Sequence, residues 1–278
     1  MACGRARTVP VNGLDLAVAE WGEDGRPLLL LLHSLAAHGH WWDWTAPRWA
    51  PRWRVVALDF RGHGASAHVV PAAYTFDDYA ADVVGALDRL GAGRVVLVGH
   101  SLGGYVAALV AARHPARVPA VVIADMLSQW TEAHASMAQR QASRPPREFP
   151  AAAAAGAAFK LVPPDTRATP EMLRHLGEAG VRRAPSGAWQ LAFDRAVFLH
   201  PPVDPWPVLP RVACPALVIH GGASGLMDRA AAERVAAAIP RGTARTLPGA
   251  HHHLVLDAPE AFVAVVDGWL AEAVTAPG

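Results

Sequence analysis

The residues best suited to chemistry are a serine flanked by glycines, in the pentapeptide Gly99-His100-Ser101-Leu102-Gly103. The apolar, β-branched run from Val95 to Val98 precedes it and predicts a buried strand. From Leu102 onward, small and aliphatic residues predict a helix that ends near Pro115. A G-x-S-x-G turn between a strand and a helix strains the serine backbone and exposes its hydroxyl at the top of a sheet. We therefore interpret Ser101 as a nucleophile.

Strand and helix patterns alternate along the rest of the chain and must position this serine. Short apolar runs predict buried strands at 27–32, 54–59, 119–124, 216–220 and 244–247. Helical periodicity falls between or after them at 75–90, 228–239 and 259–272. Thr75 or Asp77 and Asp228 are candidate N-caps, and Asn12-Gly13 predicts a hairpin turn. Strands that alternate with helices indicate βαβ units and a mostly parallel sheet.

The stretch 126–206 has a different composition, rich in Arg, Pro and Ala, and shows no pattern of a buried strand. Residues 151–158 are rich in alanine, and 171–181 have a helical pattern. We interpret this stretch as a helical cap inserted between two sheet strands. The core is then formed by a first part, 1–125, and a second part, 207–278.

Length and composition describe a globular protein that can bury one large core within its 278 residues. A formal net charge of +1 gives no reason to expect nucleic acid or an anionic membrane as a partner. The two cysteines, Cys3 and Cys214, form no disulfide framework, which favours the cytoplasm. No apolar stretch follows the basic first residues, and the run 28–32 is too short to span a bilayer. The oligomeric state is left open.

Four motifs resemble, in order, those of the α/β-hydrolase fold superfamily, in particular its serine carboxylesterase and lactonase-like members with a helical cap. They are His33-Ser34-Leu35, the segment 59–66 (DFRGHGAS), Gly99-His100-Ser101-Leu102-Gly103-Gly104, and the segment 249–253 (GAHHH) before Pro259-Glu260. The resemblance covers nearly the whole chain outside 126–206. It implies an α/β fold with a mostly parallel eight-stranded sheet, helices on both faces and an inserted helical cap. Ligands of such sheets lie beyond the carboxyl ends of the strands.

A serine hydroxyl needs a histidine base that takes its proton and later gives it to the leaving group. The resemblance implies such a histidine about seven residues before a Pro-Glu pair, and counting back from Pro259 selects His252. His251 occupies a position that the family usually gives to glycine, and His253 is the next competitor. Zinc is a weaker interpretation of the three histidines, because contiguous residues lack the spacing that puts ligands on one face.

The acid of the triad has two candidates. Most of the family carries it in a Gly-x-x-Asp pattern after the seventh strand, where this chain reads Gly222-Ala223-Ser224-Gly225. A minority carries it after the sixth strand, the position of Asp125, and we favour this residue because triads are defined by geometry and role. The alternative, Asp228, is placed as the N-cap of a helix.

The oxyanion hole implied by the resemblance uses the backbone N–H groups of Leu35 and Leu102. The loop departs from the family at Ser34, which replaces the usual glycine. For the substrate site we expect one of the neighbouring tryptophans Trp41 and Trp42 to face the pocket and choose Trp42. Together with Trp130 and Met126 it would form an apolar acyl or aryl site.

The function that the resemblance implies is hydrolysis of a carboxylic ester of a small, largely apolar molecule through an acyl-enzyme, without a cofactor or metal. Lactone hydrolysis uses the same chemistry and is the second candidate, and thioester hydrolysis or acyl transfer also remains open. A different class is a non-catalytic, ligand-binding member of the fold. The displaced acid and the altered His33-Ser34 loop favour that class, whereas the complete nucleophile and base positions argue against it.

Overall fold

Eight strands form one sheet in a computed structural model that describes residues 4–275. Cys3 lies outside the described residues. The strands of this sheet are β1 (Arg5–Val11), β2 (Leu14–Trp21), β3 (Leu28–Leu32), β4 (Arg54–Leu58), β5 (Val95–His100), β6 (Ala120–Ala124), β9 (Ala216–Gly221) and β10 (Gly242–Leu247). Their spatial order is β1-β2-β4-β3-β5-β6-β9-β10, and every neighbouring pair is parallel except the two that involve β2.

Helices cover both faces of this sheet. They are α1 (Ala46–Trp49), α2 (Phe76–Arg89), α3 (Leu102–Arg113), α7 (Arg229–Ala237), α8 (Leu254–Asp257) and α9 (Pro259–Thr275). Alternate residues of each central strand point to opposite faces. Leu30 and Leu32 accordingly belong to the apolar cluster that includes residues of α2, α3 and α7, whereas Leu29 and Leu31 belong to the cluster that includes residues of α1, α8 and α9. Burial on both faces explains why the central strands are continuous aliphatic runs. The predicted sheet and its two helical layers are confirmed.

Two local signals in the sequence correspond to observed turns and caps. Asn12 and Gly13 have φ values of 51° and 78° between the antiparallel strands β1 and β2, as a tight primed turn requires. Thr75 caps α2 in a reciprocal capping box with Asp78, and Asp228 caps α7. Among the described residues, no helix is both long and apolar enough to cross a membrane.

The segment between β6 and β9 contributes nothing to the eight-stranded sheet. It holds α4 (Glu132–Ala142), α5 (Ala152–Ala157), α6 (Pro170–Ala179) and an antiparallel pair, β7 (Val181–Arg183) and β8 (Trp189–Leu191). No sequence pattern indicated this pair, because strands of three residues are too short to show a periodicity. We propose that 126–206 is the cap, with 1–125 and 207–278 as the two parts of the core.

Hydrogen bonds attach the proposed cap to the core at several places, including two seams. At one seam, the Gly64 N–H donates to Ala192 O (2.6 Å) and the Asp194 N–H donates to Gly62 O (2.8 Å). At the other, the buried Asp43 carboxylate lies between two imidazoles: His40 Nδ1 at 2.8 Å and His175 Nε2, from α6, at 2.7 Å, both from the same oxygen, Oδ2. These contacts hold the segment over the carboxyl ends of β5 and β6.

Candidate active site

Ser101 lies at the sharp turn between β5 and α3 with φ 55° and ψ −116°. A non-glycine residue with positive φ is strained. A Cβ atom added at Gly99 would lie 2.1 Å from Gly103 O, and one added at Gly103 would lie 2.2 Å from Leu32 O. Both glycines are therefore required by the close approach of strand and helix. The turn directs Ser101 into a cavity beneath the cap, whose wall it shares with His252.

His252 and Asp125 are in direct contact. His252 Nδ1 lies 2.8 Å from Asp125 Oδ1, and both side chains are almost fully buried. Asp125 follows β6 directly and has a φ of 46°, which turns its carboxylate towards the neighbouring strand. A carboxylate at Nδ1 favours the tautomer with the proton on that nitrogen, so Nε2 can accept another proton.

The two histidines beside His252 have other partners. The backbone N–H of His251 donates to Asp257 Oδ2 (2.7 Å), and its ring lies against the same oxygen. His253 Nε2 lies 2.8 Å from Pro163 O of the cap. The structure therefore brings only His252 of the three adjacent histidines to Asp125.

The two candidate acids lie in different places. Asp125 is completely buried, whereas Asp228 is exposed at the start of α7, where Oδ1 accepts the Ala231 N–H at 2.7 Å. The Asp125 carboxylate is held by three donors. Oδ1 accepts from Ser224 Oγ (2.7 Å) as well as from His252, and Oδ2 accepts from the Gly221 N–H (2.9 Å). The geometry thus favours Asp125 as the partner of the base.

The backbone N–H groups of Leu35 and Leu102 make no hydrogen bond to another protein group within residues 4–275. Both residues line the cavity beside Ser101. The loop that carries Leu35 is tied to the turn by the Gly103 N–H, which donates to His33 O at 3.1 Å. Ser34 avoids the left-handed region, which in this loop is occupied by Ala36 at φ 56°. This explains how a serine replaces the usual glycine without strain.

His33 fixes the rest of the same loop. Its Nε2 accepts the Phe60 N–H at 3.0 Å, which places the ring proton on Nδ1, 2.7 Å from Ser34 O. Burial holds the pKa of His33 well below its ordinary value, so the ring stays neutral. The ring of His33 therefore joins this loop to Phe60 as a neutral imidazole that does not gain a proton near neutral pH.

The cavity has a volume of about 440 Å³, within the range of small-molecule sites. Met126 and Trp130, two of the residues predicted for the substrate site, line it. Trp42 does not, and the choice of this residue was wrong: its side chain is fully buried in the core, where it packs against Phe262. Trp41 lines the cavity in its place.

Sequence reasoning missed two residues that position the candidate triad. His100 Nε2 lies 2.8 Å from His252 O, so the middle residue of the turn supports the loop that carries the base. Ser224 holds Asp125 and also accepts the N–H groups of Leu226 and Met227. Ser224 was detectable, because it stands in the motif in which most of the family carries the acid.

Within residues 4–275, two groups of side chains have ligand atoms within 4.8 Å of one another: His100, His252 and His253, and the seam trio His40, Asp43 and His175. In each group the rings already form hydrogen bonds to a carboxylate or a carbonyl. Burial, followed by the nearby His252, lowers the pKa of His253 to about 4. We therefore interpret both groups as hydrogen-bond networks.

Comparison with known proteins places the chain in a family. It belongs to the α/β hydrolase fold family, which it matches over residues 27–259. The solved structure of E-2-(acetamidomethylene)succinate hydrolase covers 96% of this chain and 99% of its own length, with a TM-score of 0.84 and 24% identity, which shows the shared fold. The chain is thus a hydrolase of the α/β fold family.

Two curated relatives are similar to nearly the whole chain, and a third is similar to a shorter stretch. The chain is 26% identical over 268 residues to 2-(acetamidomethylene)succinate hydrolase of Mesorhizobium japonicum, with 95% of each protein covered. It is 27% identical over 255 residues to 3-oxoadipate enol-lactonase 2 of Acinetobacter baylyi, with 92% of each covered. Mouse epoxide hydrolase 4 is 36% identical over 113 residues, 40% of this chain and 32% of that protein, so the chain matches about a third of that relative.

Proposed function

We propose that the protein hydrolyses a carboxylic ester through a covalent acyl-enzyme, with Ser101 as nucleophile, His252 as base and Asp125 as orienting acid. The observation that carries the proposal is the 2.8 Å contact between His252 Nδ1 and Asp125 Oδ1, beside a strained serine that opens into the same cavity. A carboxylate that fixes the tautomer of a histidine in the same cavity as a serine is the arrangement that activates a hydroxyl.

In the first half of the reaction, Ser101 Oγ attacks the ester carbonyl carbon while its proton passes to His252 Nε2. The imidazolium that forms is stabilised by the Asp125 carboxylate, which stays ionised. The carbonyl oxygen gains the negative charge and is bound by the N–H groups of Leu35 and Leu102, whose hydrogen-bonding capacity no other protein group among the described residues uses. His252 then returns the proton to the leaving alkoxide as the carbon–oxygen bond breaks.

In the second half, His252 takes a proton from water, and the resulting hydroxide adds to the acyl carbon. The same two N–H groups bind the new oxyanion. Collapse of this intermediate releases the acid and returns the proton to Ser101 Oγ. The apolar side chains of Leu35, Met126 and Trp130 exclude bulk water from the wall of the cavity, which strengthens the interactions with the transient charges.

Lactones are the second candidate substrates. The relative 3-oxoadipate enol-lactonase 2, aligned over 92% of both proteins, favours them, and opening a cyclic ester needs the same residues in the same roles. Cytoplasmic location is part of this proposal. It is supported by the cysteine content, because two cysteines provide no disulfide framework of the kind typical of oxidising compartments.

A panel of p-nitrophenyl esters of increasing acyl length, assayed beside a set of lactones, tests the proposal. We expect turnover of at least one series by the wild type and none by Ser101→Ala. A fluorophosphonate reagent should label Ser101 in the folded wild-type protein. Absence of both labelling and turnover would contradict the proposal and favour a protein that binds ligands without converting them.

A further inference from the structure

Three cationic side chains line the cavity together with its apolar wall: Arg144, Lys160 and Arg195. All three come from the proposed cap, whereas Ser101 comes from the core. Lys160 is the only lysine in the 278 residues. No aspartate or glutamate among the described residues lines the cavity. The site therefore combines an apolar wall with a positive region that has no acidic counterpart.

These three cations also lack ion pairs elsewhere. Within residues 4–275, none of them lies within 4.0 Å of a carboxylate, although arginines in other parts of the structure are paired. Arg61, for example, binds both carboxylate oxygens of Asp82 at 2.6 and 2.7 Å. At the cavity, no carboxylate of the described chain neutralises the three cations.

Arg195 is fixed in place despite having no acidic partner. Its guanidinium carbon lies 5.0 Å above the ring of Phe193, and Nη1 donates to Gln141 Oε1 at 3.3 Å. Its pKa is lowered, first by burial and then by the nearby Arg144. The Arg195 guanidinium is held in place, partly desolvated and close to a second cation, so a bound anion would stabilise it. A carboxylate fits best, because its two oxygens match the planar pair of N–H donors of a guanidinium.

We propose that the substrate carries a carboxylate at the end remote from its ester or lactone carbonyl, and that Arg195 and Arg144, with Lys160, bind it. The apolar wall between this cationic region and Ser101 accommodates the intervening carbon chain. This proposal rests on the proposed hydrolase function, which it deepens by naming the substrate class: short, carboxylate-bearing esters and lactones.

A matched pair of esters tests the charge preference. Mono-p-nitrophenyl glutarate and p-nitrophenyl butyrate share a leaving group and differ at the far end of the acyl chain, where only glutarate has a carboxylate. We expect the wild type to have a higher kcat/KM for the glutarate ester. Arg195→Gln should lower the ratio of the two kcat/KM values by about 10- to 100-fold, the value of a charge-assisted hydrogen bond, mainly through KM.

Two further variants test whether the charge preference depends on arginines of the cavity. Arg144→Gln should lower the same ratio in the same direction. Arg140→Gln removes an exposed arginine from α4, outside the cavity, and should leave the ratio unchanged. The proposal is overturned if the wild type does not favour the glutarate ester, or if Arg195→Gln and Arg144→Gln both leave the ratio as in Arg140→Gln.

Binding measured without turnover separates this proposal from the function on which it rests. In Ser101→Ala, an amine-acylating reagent should modify Lys160 as the only lysine, and peptide mass spectrometry can follow the rate. Glutarate should slow this acylation more than butyrate does, and Arg195→Gln should abolish the difference. If glutarate protects Lys160 but the wild type hydrolyses neither ester, the proposed anion site is supported and the proposed hydrolase function is contradicted. If the wild type hydrolyses both esters but glutarate gives no protection, the hydrolase function is supported and the anion site is contradicted.

Discussion

Replacing Asp125 by asparagine tests the geometry of the candidate triad most directly. The wild-type carboxylate accepts three hydrogen bonds: from Ser224 Oγ and His252 Nδ1 at Oδ1, and from the Gly221 N–H at Oδ2. An amide has only one acceptor oxygen. If that oxygen faces Gly221, the amide nitrogen donates to His252 Nδ1 and drives the ring proton to Nε2, where no serine proton can then be accepted.

The alternative amide orientation carries a different cost. With its oxygen towards His252, the N–H₂ group of the new side chain would face the Gly221 N–H, and two buried donors would be left without acceptors. Each unsatisfied group costs about 1–3 kcal/mol. The first orientation is therefore favoured, and the variant stays folded with the wrong tautomer. We expect kcat/KM to fall by about 10²- to 10⁴-fold, equivalent to about 3–5 kcal/mol of transition-state stabilisation.

The assay is hydrolysis of the best p-nitrophenyl ester, run beside thermal unfolding of the same preparations. Asp228→Asn is the matched control, because the same substitution at the exposed cap of α7 retains a good N-cap and leaves rate and Tm nearly unchanged. An Asp125→Asn variant that folds and keeps more than about a third of wild-type kcat/KM would refute the reasoning, which requires at least about a hundredfold loss.

Three other outcomes follow from the structure. Ser224→Ala removes one of the donors to Asp125 and should lower kcat about three- to tenfold, the effect of losing one hydrogen bond. Ester hydrolysis measures this change. Gly103→Ala forces a Cβ against Leu32 O, so its Tm should fall far more than that of an alanine placed at Gly93, around which there is open space. The pKa of His40 is raised by its hydrogen bond to the seam carboxylate, so this contact stabilises the fold at low pH and loses its effect as pH rises through that raised pKa. His40→Gln should therefore lower Tm more at pH 5.5 than at pH 8.5, and equal losses at both pH values would contradict this.

Much of the site could be predicted from local sequence because its geometry is set by short-range constraints. Two glycines around Ser101 are needed at any such turn, since strand and helix backbones meet there. Asp125 was chosen because the resemblance includes members with the acid after the sixth strand, and parallel strands deliver their carboxyl ends to one edge of the sheet. The position of His252 came from the resemblance, which implies a histidine about seven residues before the pair Pro259-Glu260.

Other features depend on contacts that no local pattern encodes. Trp41 and Trp42 are adjacent in a 3₁₀ helix, Gly39–Trp42, and successive side chains of such a helix point about 120° apart. Which of them reaches the cavity is decided by the packing of α9, far along the chain. The cationic region likewise combines residues that are separated by dozens of positions within the proposed cap. The absence of a nearby carboxylate among the described residues can be recognised only when the neighbours in space are known.

The position of the proposed cap in the sheet has a consequence for engineering. β6 and β9 are parallel neighbours, and the Asp125 N–H donates to Ile219 O at 2.7 Å across them. Parallel neighbours cannot be joined by a tight turn and need a crossover of about a dozen or more residues. The proposed cap is therefore also the crossover connection between β6 and β9. A cap exchange must transplant a complete crossover, spliced after Asp125 and before β9, because a simple deletion would leave two strands with too little chain between them.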